Sequence, residues 1–106
     1  SAGIRLFGLD DQNKTDALII VHGRMATTAL EAREELAACG ITCGIILCEF
    51  VKPYGKLADM ILPVLEMLPN DVSVIFLEEE IRSGGFGMNL SDALIRCGAL
   101  GELKYL

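Results

Sequence analysis

"ALIIVHGRMATTALEAREELAACG", residues 17–40, is the stretch on which the fold turns. It opens with Ala17–His22, a short apolar run rich in β-branched residues and broken at once by Gly23, which makes it a strand buried on both faces. Beyond the glycine the period changes. Met25, Ala29, Ala32, Leu36 and Cys39 recur at steps of 4, 3, 4 and 3, which is one stripe of a helix, while Glu31, Glu34 and Glu35 lie on its other face. Thr28 with Glu31 fits a capping box, with the helix free to begin a turn earlier, and Gly40 fits a C-terminal stop.

The same alternation repeats downstream. "ITCGIILCEFV", residues 41–51, is apolar on both faces, as a central strand of a covered sheet must be, and Pro53 ends it by removing a backbone donor. Leu57, Met60, Ile61, Val64, Leu65 and Leu68 then return at helical spacing, with Pro63 expected to kink that helix or split it in two. "DVSVIFLEE", residues 71–79, reads as another buried strand, and residues 86–97 as an amphipathic helix with Leu90, Ala93, Leu94 and Cys97 inward. "ELKYL" at the C-terminus and "IRLFG" near the N-terminus are the weaker strand candidates, and "LDDQNKTD", residues 9–16, is a turn or lead-in. Strands alternating with helices at this spacing call for right-handed crossovers. The expected fold is a single α/β domain over residues 1–106: a three-layer sandwich with a mostly parallel sheet of about five strands and helices on both faces.

Composition narrows the function classes. Hydrophobic residues make up 52% of 106, enough to bury a core, and 15 acids against 9 bases leave a net charge of −6. This balance argues against nucleic acid as a partner, because phosphate backbones call for clustered bases and here Lys and Arg are scattered singly. No apolar run approaches the roughly 18–20 residues of a membrane span, and no signal segment opens the chain. The four cysteines, 39, 43, 48 and 97, form no CxxC pair and have one histidine to help them. Buried thiols in a reducing cytoplasm are therefore expected, rather than a metal site or a disulfide. The absent initiator methionine and the abrupt ending on "LKYL" read as a domain taken from a longer chain.

In open α/β sheets ligands sit beyond the carboxyl ends of the strands. Those ends carry His22-Gly23-Arg24, Glu49 to Lys52, and Glu78 to Gly87. His22 and Arg24 are the candidate crevice residues. A lone histidine there can be a phosphocarrier, a general base or a side chain bonded to a loop; no acid–base partner is fixed by the sequence, which favours the inert role. "EEEIRSGGFGMNL", residues 78–90, has the layout of an anion-binding turn, but its G-G-x-G spacing is neither a dinucleotide fingerprint nor a P-loop. Glu78, Glu79 and Glu80 would repel a phosphate, with Arg82 a partial offset, so Gly84, Gly85 and Gly87 read better as sites of close backbone approach. Asp59 and Glu66 are ordinary solvated acids on helical faces.

Three segments in order carry a resemblance: "DALIIVHGRMATTALEAREELAACGI", "CEFVKPYG" and "VIFLEEEIRSGGFGMNLSDAL". From about residue 16 to 98 the chain resembles the C-terminal domain of thiamine-diphosphate enzymes of the transketolase type. "FVKP" looks most like the 1-deoxy-D-xylulose-5-phosphate synthase branch, while Pro63 and the "MLP" after it depart from the pattern. The resemblance implies a parent transferase of isoprenoid biosynthesis, cytoplasmic and dimeric, using thiamine diphosphate and Mg²⁺. It also implies that both are held by other domains, so that this one has no catalytic, cofactor-binding or metal residue and is inactive alone. Its partners would be the other domains of the parent and the dimer mate, with Glu79, Gly84, Gly85 and Gly87 forming an interface or packing turn. Two alternatives stand beside it. "IIVHG" also resembles the start of a mannose-type phosphotransfer-system domain, with His22 phosphorylated, although residues 1–16 are in excess and its Gly-Gly-Ser-Pro turn is missing. The other is an anion- or nucleotide-binding module using the Gly84–Gly87 turn.

Overall fold

The computed structural model describes residues 3–50, 53–77 and 103–105. Five strands, β1 (Ile4–Phe7), β2 (Ala17–His22), β3 (Cys43–Cys48), β4 (Ser73–Leu77) and β5 (Leu103–Tyr105), form one sheet in the order β1-β3-β2-β4-β5. β2 runs parallel to both β3 and β4, and β4 parallel to β5; β1 alone is antiparallel, pairing Ile4 with Cys48 and Phe7 with Ile45. Helix α1 (Ala26–Ala38) serves the crossover from β2 to β3, and α2 (Tyr54–Glu66) the one from β3 to β4. The expected covered, mostly parallel sheet of about five strands is what forms.

The pleat sorts the core into two halves. Leu18 and Ile20 of β2, Ile46 and Cys48 of β3, and Val74 and Phe76 of β4 pack with Leu57, Ala58, Ile61 and Val64 of α2. The alternate residues Ala17, Ile19, Val21, Cys43, Ile45 and Leu77 pack with Ala29 of α1. Successive strand side chains point to opposite faces, so a central strand covered on both sides must be apolar throughout. Leu18, Ile19, Ile20 and Val21 are all fully buried.

Helix α1 stops where the sequence predicts. Gly40 takes φ +81°, its N–H donates to the Ala37 carbonyl at 3.0 Å, and the Ile41 N–H reaches back to the Leu36 carbonyl at 2.9 Å. This is a Schellman ending, with Leu36 and Ile41 both packed against the α1 half of the core. Three local expectations are corrected. Thr28 does not cap α1: a 3-10 turn, Gly23–Met25, leads directly into a helix that starts at Ala26, and its N-cap residue, Met25, makes no side-chain bond. Cys39 is exposed rather than inward, because the chain leaves helical geometry at that residue. Pro63 does not split α2, which runs unbroken from Tyr54 to Glu66. Its ring is on the exposed side, where water can satisfy the carbonyl it orphans, while Leu57, Ile61 and Val64 hold the other side against the sheet. The expected helix over 86–97 lies outside the described residues.

Candidate functional site

The carboxyl end of the sheet is the place to look for a crevice. β2 delivers His22 there, half-buried and extended (φ −85°, ψ 151°), directly opposite Cys48 of β3. Gly23 then turns the chain and leaves Arg24 exposed. Neither His22 nor Arg24 is a free side chain; each is engaged by a neighbour. β4 ends at Leu77, opposite Val21, so the described chain stops one position short of the level of His22. Glu79, Gly84, Gly85 and Gly87 come next in sequence and lie outside the described residues, as does the anion-binding turn built on them.

Glu49, the first residue past β3, has a definite task. Its carboxylate Oε1 accepts the Gly3 N–H at 3.1 Å, and its own N–H donates to the Gly3 carbonyl at 2.9 Å. This reciprocal bracket fastens the start of β1 to the end of β3. Gly3 is required there twice over: φ is +122°, and a Cβ would stand 2.6 Å from Phe50 Cε1 and 2.8 Å from Met60 Cε. Lys56 Nζ lies over the Phe50 ring at 5.9 Å from its centroid, a weak exposed cation–π contact. At this end of β3 the acid and the aromatic thus act in holding the edge strand.

The opposite end carries the polar ties that sequence reasoning missed. Asp16 joins three strands at their amino ends: its N–H donates to the Thr42 carbonyl at 2.8 Å, its Oδ2 accepts the Thr42 N–H at 2.8 Å, and its carbonyl accepts the Ser73 N–H at 3.1 Å. Arg33 of α1 turns inward and donates Nε–H to the Cys43 carbonyl at 2.8 Å. An arginine alone among Glu31, Glu34 and Glu35 was the available signal. Two open hollows flank these ties, one of about 290 Å³ beside Arg33 and Thr42 and one of about 500 Å³ beside Asp16 and Ile75. Both lie at the amino ends of the strands, away from the end at which such sheets bind ligands.

The cysteines carry no chemistry among the described residues. Cys43 and Cys48 are buried on opposite faces of the sheet, as their spacing predicts. Burial pushes the Cys48 thiol up to about 12. Burial also raises Cys43, against smaller opposing effects of its hydrogen bond to the Ile19 backbone and the Arg33 charge. Both stay protonated and unreactive at neutral pH. Cys39, Cys43 and Cys48 are all free of disulfides. No helix among the described residues is long and apolar enough to cross a membrane.

The fold is a mixed five-stranded sheet with a helix on each face, and the chain belongs to the family described as "Transketolase, C-terminal domain", which it matches over residues 8–104. Within that family it is similar to 1-deoxy-D-xylulose-5-phosphate synthases. That of Rippkaea orientalis is 36% identical over 93 residues, covering 88% of this chain and 14% of the relative. Those of Synechocystis sp. (34% over 91 residues, 86% of this chain, 13% of the relative) and Pelotomaculum thermopropionicum (33% over 87 residues, 82% and 13%) match in the same way. The chain thus spans about a seventh of the length of the curated relatives it matches. His22-Gly23 falls inside the family match, which leaves the phosphotransfer reading of "IIVHG" without support.

Proposed function

We propose that this chain serves as the C-terminal domain of a thiamine-diphosphate-dependent transferase of the 1-deoxy-D-xylulose-5-phosphate synthase type, contributing interdomain packing and dimer stabilisation and taking no part in the chemistry. The observation that carries this is the family match over residues 8–104, together with relatives of that name at 33–36% identity over most of the chain. In such a parent the cofactor supplies the carbanion chemistry, and protein groups bind and orient it.

On this reading thiamine diphosphate and Mg²⁺ are held by other domains of the parent. Among the described residues no three His, Cys, Asp or Glu side chains gather to hold a metal ion, and Glu49 is committed to Gly3. The glycine corner, Glu79 with Gly84, Gly85 and Gly87, is proposed as a packing turn against the neighbouring domains.

Calorimetric titration tests the proposal: thiamine diphosphate with Mg²⁺, added to this chain, should release no binding heat at micromolar cofactor. Micromolar affinity would overturn it. Independently, the reading frame upstream of Ser1 should encode a Gly-Asp-Gly cofactor motif several hundred residues earlier; a complete frame without one removes the proposed parent.

A further inference from the structure

We draw no further inference here: the strongest candidate, the open groove on the α1 face of the sheet lined by Ala17, Leu36, Ile41 and Ile75 beside Asp16 and Ser73, carries nothing because nothing in the structure shows what covers it.

Discussion

Replacing Glu49 separates a structural acid from a catalytic one. In Glu49→Ala the Gly3 N–H, which is part-buried, loses its acceptor, while the backbone bond from the Glu49 N–H to the Gly3 carbonyl survives. A hydrogen bond to a charged group is worth about 1.5–3 kcal/mol, and the exposure of the Glu49 side chain brings the expected loss down to about 1 kcal/mol. For a domain of this size that lowers the melting temperature by about 4 °C. The loss should be local: β1 is held by a four-residue ladder to β3 in which Arg5 and Phe7 are the hydrogen-bonded positions, so amide exchange at Arg5 and Phe7 should quicken while Ile19 and Ile20 stay protected. Glu49→Gln keeps an oxygen acceptor and should recover most of the loss, with little dependence on salt. Thermal melts with hydrogen exchange on the three proteins decide the matter. A Gln variant as unstable as the Ala variant would show that charge, not the hydrogen bond, carries the effect. Stability unchanged or raised in Glu49→Ala would refute the bracket, since that is the behaviour of an acid held for function at a cost to stability.

Other outcomes follow from the same geometry. At Gly40 a Cβ would meet nothing within 4 Å, so Gly40→Ala suffers backbone strain alone: about 1–2 kcal/mol for a left-handed L-residue less about 0.4–1 kcal/mol gained from a stiffer unfolded chain, a net loss of about 0.5–1 kcal/mol. Gly40→Asn should lose less in denaturant titration, and equal losses for the two would point away from the left-handed ending. Pro63→Ala restores an N–H for the Asp59 carbonyl in α2 and should stabilise by about 1 kcal/mol, well below the roughly 3 kcal/mol of a deeply interior proline because the site is exposed; a lower melting temperature would contradict a net cost of Pro63 and show that its stiffening of the unfolded chain outweighs the lost bond. Alkylation of the native protein at pH 8, mapped by mass spectrometry, should label Cys39 quickly and Cys43 and Cys48 only after denaturant is added. Because the folded Cys48 pKa lies above its unfolded value near 9, this thiol's stabilisation is complete below about pH 9 and is lost as pH rises toward 12. A Cys48→Ser or Cys48→Ala variant should show a shallower fall in stability over that window.

How much of this was legible depends on whether the cause was local. The unit from Ala17 to Gly40 could be read from the sequence because burial on two faces demands Leu18–Val21 and a left-handed ending demands Gly40. The direction of β1 could not. Nothing in "IRLF" distinguishes an antiparallel from a parallel edge strand; the choice is made by pairing with β3, more than thirty residues away. The cap at Thr28 and the splitting of α2 at Pro63 misled for the converse reason. Each is a sound local signal, but the 3-10 turn at Gly23 had already started α1, and apolar contacts of α2 with the sheet outweigh the single bond that Pro63 removes.

The site divides along the same line. His22, Arg24 and Glu49 were placed at the carboxyl end of the sheet by strand boundaries alone, and there they stand. What Glu49 does there was invisible, because its partner is the backbone of Gly3, forty-six residues earlier, and a backbone N–H leaves no mark in a sequence. Asp16 and Arg33 were missed for the same cause: their acceptors and donors are main-chain groups of Thr42, Ser73 and Cys43. Glu49 at one sheet end, and Asp16 and Arg33 at the other, thus bond to backbone within the domain and fix how its strands end. That use suits a domain valued for its shape. It also makes stability, rather than turnover, the quantity in which Glu49, Asp16 and Arg33 should register when altered, whereas a residue that touched substrate in the proposed parent would register in turnover first.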